Sequence, residues 1–250
     1  GLGTDFVPVL EADSFNPIFS FPADDFYALL DDPGSNPLGG SLDVAVGRIP
    51  AKTPEEARGV VDKIVNYDTN PRALGDWRNR IAFVGDDEDG SRHTRQADEI
   101  ADTLRRRYNF LNIDKIFFDA YPQVATPGGA RYPGVTEAIN QSVFRGTLAI
   151  TYLGHGGSSG WAEERVLSIP DLLSWENFDQ PPLLVTATCS FAGYDDPVFT
   201  TAGEEAILNN RGGAIALLTT VRAVFSSFNR ALTEEVMKAL FEQPEGRTQT

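Results

Sequence analysis

Two side chains in this sequence have the types and placement for nucleophilic chemistry. Cys189 is the only cysteine among 250 residues, and His155 is one of two histidines. Each closes a short apolar, β-branched run. Thr147-Leu-Ala-Ile-Thr-Tyr-Leu153 leads into Gly154-His155-Gly156-Gly157, and Leu183-Leu-Val-Thr-Ala-Thr-Cys189 ends on the thiol itself. Runs of this kind read as strands buried on both faces of a sheet, and open α/β sheets place their chemistry beyond the carboxyl ends of the strands. A thiol that attacks a carbonyl needs an imidazole to take its proton and return it to the leaving group. Taken singly, a lone cysteine is more often a small buried hydrophobe, and a loop histidine is more often satisfied by backbone. Their joint placement, 34 positions apart (189 − 155) in a chain poor in both residue types, favours the catalytic reading.

The developing oxyanion needs donors as well. The glycines after His155 leave the backbone bare, so the Gly156 N–H, with that of Cys189, forms a candidate oxyanion hole. A third strand candidate, Ile81-Ala-Phe-Val84, leads into the acidic loop Asp86-Asp87-Glu88-Asp89, from which a carboxylate could orient the His155 ring. Read by itself, that loop is a solvated acidic turn. It could hold calcium, although it lacks the full spacing of a calcium loop. One cysteine and two histidines without tight spacing do not make a structural zinc pattern, so no metal ligands are assigned and no cofactor is required. His93 falls near a helix start, where it reads as a capping or packing residue. Trp161 follows the glycines and could wall the cleft. Thr220 and Arg222, in the loop after the last strand, are candidates for a side-chain pocket, although a plain connection is as common there. Trp161, Phe191, Tyr194 and Phe225 all fall in loops expected at the cleft, where aromatic rings could exclude water.

The elements that would hold these residues alternate regularly. Strands are expected over 81–84, 113–118, 147–153, 183–187 and 214–218, with helices over roughly 92–108, 135–144, 171–175, 203–210 and 228–241. This alternation predicts right-handed crossovers and a mostly parallel sheet covered by helices on both faces. Before it, Leu42-Asp-Val-Ala-Val46 alternates like a strand. Thr53, Pro54 and Glu56 announce a helix with a capping box. Residues 1–76 therefore read as a smaller α/β subdomain and 77–250 as the catalytic subdomain. A chain of this length that is 41% hydrophobic can bury a full core. No apolar run approaches the roughly 18 residues needed to cross a bilayer. The net charge of −15 argues against nucleic acid or an anionic membrane as partner. The opening Gly1-Leu2-Gly3, without Met, suggests a fragment of a longer protein.

The His-Gly and Ala-x-Cys strand ends together resemble the caspase-like cysteine peptidases, and within them the gingipain family. The segments that carry the likeness are Val46-Gly-Arg-Ile-Pro50 with Glu55-Glu56-Ala57, Tyr152-Leu-Gly-His-Gly-Gly157 with Trp161, and Thr186-Ala-Thr-Cys-Ser-Phe191. Gly203-Glu204 and Gly212-Gly-Ala-Ile-Ala-Leu217 add to it. The likeness is greatest to the PorU-like branch, the signal peptidases and sortases of the type IX secretion system of Bacteroidota. It implies a caspase-like fold, Cys189 as nucleophile, His155 as base and an acidic residue supporting the imidazole, matched here to Asp87. The implied substrate is the C-terminal signal domain of secreted proteins, removed with the new carboxyl end joined to a surface anchor. The implied partners are other secretion-system subunits, and the implied location is the outer face of the outer membrane. An inactive peptidase-like binding domain and a general secreted protease are the competing readings.

Overall fold

A computed structural model describes residues 7–13, 20–31 and 38–242. Five parallel strands form its central sheet: β1 (Arg80–Gly85), β2 (Asn112–Phe117), β3 (Ala149–Leu153), β4 (Leu183–Ala187) and β5 (Ala216–Leu218). Their order across the sheet is β5-β4-β3-β1-β2. The first connection runs outward to one edge and the later ones to the other, so the order reverses at β1 and β3. That reversal opens a crevice at the carboxyl ends of the strands.

Six helices clothe the sheet: α1 (Pro54–Thr69), α2 (Glu88–Arg107), α3 (Pro133–Arg145), α4 (Ile169–Ser174), α5 (Ala202–Leu208) and α6 (Ser226–Phe241). Alternate strand residues feed two separate cores, as the two-residue period requires. Ile81, Phe83, Ala149, Leu153 and Val185 pack under α2 and α6 with Ile100, Leu104 and Met237. Ala82, Val84, Ile150, Tyr152 and Leu184 pack on the other face with Val135, Ile139, Leu172 and Ala206. The arrangement is the three-layer α/β sandwich expected from the alternation, with helices on both faces of a parallel sheet.

The N-terminal region departs from expectation. Leu42 to Val46 forms no strand; its apolar side chains Leu42, Val44 and Val46 are exposed, and among the described residues no strand pairs with it. The only strands described there are the short antiparallel pair Glu11–Asp13 and Ser20–Pro22. α1 begins as its sequence dictates. Thr53 Oγ1 accepts from Glu56 N (3.1 Å), and the Glu56 carboxylate accepts from Thr53 N (3.1 Å). The helix is then fastened to the sheet domain through Lys63, which is almost wholly buried. Its Nζ donates to the carbonyls of Ile207 (2.8 Å), Asn209 (3.1 Å) and Gly212 (2.7 Å), capping the open carbonyl end of α5. Burial pushes the Lys63 amine down to about 8.

Candidate active site

The fold brings His155 and Cys189 to one edge. β3 and β4 pair in parallel, Leu153 opposite Ala187, and each of the two residues stands two positions beyond its strand end. The ladder continues past the strands: Gly154 N donates to Ala187 O (3.3 Å) and Asp86 N to Leu153 O (3.1 Å). The loops of β1, β3 and β4 are thus bound together at their base. They also touch at the level of the chemistry. A Cβ built on Gly156 would come within 2.6 Å of Thr188 Oγ1, so the residue after His155 lies against the residue before Cys189, and only glycine permits that approach. The thiol is half-buried; its one polar contact among the described residues is the Val224 carbonyl at 4.0 Å.

Backbone and side chain of His155 are held by different acids. Asp86 is fully buried, and its carboxylate accepts from the His155 N–H (2.8 Å) and the Glu88 N–H (2.9 Å). Tyr152 donates its hydroxyl to the His155 carbonyl (2.6 Å) and stands 3.4 Å from the Asp86 carboxylate. Burial first, then Asp86, raises the Tyr152 phenol well above its ordinary range, so it stays a donor. A Cβ on Gly154 would fall 2.3 Å from that hydroxyl and 2.5 Å from Asp86 Cβ, which accounts for the glycine. The ring itself faces Asp89, with Nε2 at 3.3 Å, and Glu88, at 3.7 Å. An imidazole that gives its Nε2 proton to Asp89 keeps the Nδ1 lone pair free as a base.

Asp87 therefore is not the residue at the imidazole. Its carboxylate accepts from the Tyr132 hydroxyl (2.7 Å), while Asp89 is carried to the ring by a left-handed turn. Asp89, Gly90 and Ser91 have φ of 54°, 66° and 58° at the start of α2, which reverses the direction the loop would otherwise give its side chains. The four carboxylates consequently diverge: Asp86 onto backbone N–H groups, Asp87 onto a tyrosine, Glu88 and Asp89 toward His155.

Left-handed non-glycine residues are costly, of order 1–3 kcal/mol each, and collect where function demands them. The five among the described residues are Asp89, Ser91, Ala162, Arg165 and Ser190. Every one borders the acid loop, the hairpin after His155, or Cys189. Ser190 directly follows the thiol, and its N–H is taken by the Arg222 carbonyl (3.1 Å). On the histidine side, Ala162 N donates to His155 O (2.8 Å) and the Trp161 carbonyl turns outward to Val166 N (3.2 Å). Ladder alternation then leaves the Gly156 N–H pointing away from its own hairpin. The Cys189 N–H has no backbone acceptor among the described residues.

The remaining expected site residues are placed differently. Trp161 is fully buried, its ring stacked on Tyr152 at 4.4 Å, and it borders the cleft beside His155 from within the core. Phe191 is equally buried, and Tyr194 packs on Arg48. Of the four aromatics, only Phe225 is well exposed. Thr220 donates its hydroxyl to the Thr188 carbonyl, and Arg222 grips Asp195 with two nitrogens (2.9 and 2.5 Å). Both brace the Cys189 loop from behind. A cleft of ≈ 940 Å³ opens beside His155, bordered by Gly156, Gly157 and Trp161 and with Arg131, Glu163, Arg165 and Ser168 in its polar lining.

The residue that sequence reading missed is His93. It is buried, its ring meets that of His155 edge-on at 5.2 Å, and Asp89 lies 3.7 Å from its Nε2. Burial, more than any neighbouring charge, lowers its basicity. One donor atom each from Asp89, His93 and His155 lie within 4.8 Å of one another, so these three residues could hold a metal ion. Asp89 and His93 stand four positions apart, but it is the left-handed turn at Asp89-Gly90-Ser91, not a regular helical turn, that joins them.

A doubly wound parallel sheet with a thiol and an acid-supported imidazole at adjacent strand ends defines the class: a caspase-like α/β fold carrying the groups of a cysteine peptidase. The chain belongs to peptidase family C25, whose model matches residues 1–250. Among solved structures it is similar to the Arg-specific cysteine proteinase gingipain R, at 16% identity with a TM-score of 0.68, covering 92% of this chain and 51% of that one. A complex of Porphyromonas gingivalis RgpB pro- and mature domains matches at 16% identity and a TM-score of 0.71 over 93% of this chain and 52% of that one. A further protease matches at 18% and 0.61 over 83% of this chain and 42% of that one. The chain thus spans about half the length of the solved chains it resembles. No curated protein matches it.

Proposed function

We propose that this chain is the catalytic unit of a cysteine endopeptidase working through an acyl-enzyme. Cys189 attacks the scissile carbonyl, His155 takes the thiol proton and returns it to the leaving amine, and the Gly156 and Cys189 N–H groups receive the oxyanion. Asp89 holds the imidazole in its working tautomer, and Asp86 with Tyr152 fixes the backbone beneath it. The observation that carries this reading is the placement of His155 and Cys189 beyond paired ends of adjacent parallel strands, their loops in contact at Gly156 and Thr188. The inactive-domain reading leaves that placement and the left-handed turns around it without a purpose.

The substrate is a protein or peptide. Its narrower identity as the C-terminal signal of type IX cargo, with transfer to a surface anchor at the outer face of the outer membrane and other secretion-system subunits as partners, rests on the resemblance to PorU-like signal peptidases. The transfer step itself draws little from the aromatics expected to exclude water, because the Trp161 and Phe191 side chains are buried in the core. The test is product partitioning by mass spectrometry with a peptide ester, with and without an added amine. Amine-joined product in excess of hydrolysis supports the transpeptidase. Rapid hydrolysis unaffected by amine assigns a plain endopeptidase.

A further inference from the structure

We infer that Asp89, His93 and His155 form a binding site for a zinc-class divalent cation, through which the metal reversibly withdraws His155 from catalysis. The inference rests on the proposed role of His155 as base; the metal site itself does not.

The donor set is two imidazole nitrogens and one carboxylate oxygen. That combination selects borderline first-row dications over calcium or magnesium, which favour oxygen ligands alone. Zinc bonds nitrogen and oxygen at about 2.0–2.2 Å, and a tetrahedral shell at that radius sets neighbouring donors about 3.3 Å apart. The Asp89 carboxylate lies 3.3 Å from His155 Nε2 and 3.7 Å from His93 Nε2. All three donors fall within 4.8 Å of one another. Asp89 is exposed and His155 half-buried, so both can rotate to close the remaining gap, while His93 is fixed by packing.

A second observation points to a ligand. His93 is 6% exposed, and its Nε2, aimed at this cluster, has no hydrogen-bond partner among the described residues. Buried polar atoms are almost always satisfied by protein, water or an ion, so an orphan nitrogen beside a carboxylate and a second imidazole calls for a cation. Glu88, 3.7 Å from the same His155 nitrogen, adds negative charge. Three protein ligands would leave a fourth position for water.

The consequence for catalysis follows from proton placement. A metal on Nε2 of a neutral imidazole obliges the ring proton to sit on Nδ1. The ring then has no lone pair with which to accept the thiol proton. Removing the metal restores the base without any covalent change.

The site is tested first in the full chain carrying Cys189→Ala, stripped of metal and titrated with Co²⁺, with Zn²⁺ as competitor. The expected result is one equivalent of cobalt with visible d–d bands, displaced by zinc. His93→Gln should weaken binding at least about 100-fold, since even outer-shell partners cost 10–100-fold. Asp89→Asn, which suits a left-handed backbone, should act in the same direction and carries the test if His93→Gln misfolds. The regulatory half is read in the chain with its thiol intact, as the ratio of Cys189 labelling rates with and without zinc. That ratio should fall in the unmodified chain and stay near one in His93→Gln. Absence of cobalt bands, or binding indifferent to both substitutions, overturns the site. Zinc inhibition persisting in His93→Gln overturns the mechanism. A failure of the base reading shows separately, as metal-free labelling that does not depend on His155.

Discussion

Asp86→Asn is the substitution whose outcome the site geometry constrains most tightly. The Asp86 carboxylate is buried and accepts from two backbone N–H groups, His155 at 2.8 Å and Glu88 at 2.9 Å. An asparagine of the same shape offers one acceptor oxygen, and its NH₂ faces the second donor. One buried N–H is then unsatisfied, at about 1–3 kcal/mol. The surviving bond falls from charge-assisted to neutral, losing roughly 1 kcal/mol more. Against this, the substitution relieves Tyr152, Glu88 and Glu164, each of whose acidities Asp86 weakens. The net expectation is a loss of about 2–3 kcal/mol, a large share of the roughly 5–15 kcal/mol that holds a domain folded. The assay is urea unfolding followed by tryptophan fluorescence, with the midpoint compared at unchanged slope. The titrations of Glu88 and Glu164 should move down in the same variant. A midpoint equal to that of the unmodified chain would show that Asp86 does not anchor the His155 loop.

Trp161→Ala should cost about 3–5 kcal/mol, because the ring is fully buried against Tyr152. A thermal midpoint little changed would refute the packing role of the ring. Gly156→Ala should leave the fold largely intact but drive the His155 and Cys189 loops apart, since the new Cβ meets Thr188 Oγ1 at 2.6 Å. Cys189 labelling should then slow by more than tenfold while the unfolding midpoint shifts by only about 1–3 kcal/mol, and an unchanged rate would refute the contact's importance. Lys63 gives a pH signature. Its amine is at about 8 folded and 10.5 as an ordinary lysine, so the unfolded chain binds more protons between those values. Stability should rise with pH across that window, by up to about 3 kcal/mol at 1.36 kcal/mol per unit; below pH 8 the amine is charged in both states and adds no slope. Denaturant titrations at pH 7 to 10.5 should show this rise in the parent chain and lose it in Lys63→Met.

The strands and their order of use were legible because each is a short apolar run buried on both faces, and a buried parallel strand cannot hide its composition. The capping box at Thr53 was legible for the same kind of reason, since it is a local pattern that needs no tertiary partner. What the sequence concealed was direction. The acid loop was located correctly, yet the turn at Asp89-Gly90-Ser91 decides which carboxylate meets the imidazole, and that turn depends on α2 docking against the sheet. Gly90 was its one sequence trace. Trp161, six positions after His155, does border the cleft, but the direction of its ring was not legible. The hairpin between them folds back and delivers the indole to Tyr152. His93 was hidden because a helical histidine's neighbour across the sheet cannot be read from spacing along the chain. Leu42 to Val46 had the alternation of a strand and, among the described residues, no strand beside it to complete a ladder.

The central claim is that Cys189 is a nucleophile activated by His155, and covalent labelling measures it directly. The chain is incubated with an electrophilic peptide ketone, digested, and the adduct located by mass spectrometry. The account predicts a single adduct on Cys189, formed at least about 100-fold more slowly in His155→Ala, as general-base catalysis by one side chain typically supplies 10²–10⁴-fold. Labelling at the same rate without the imidazole, or an intact chain whose Cys189 does not react, would contradict it.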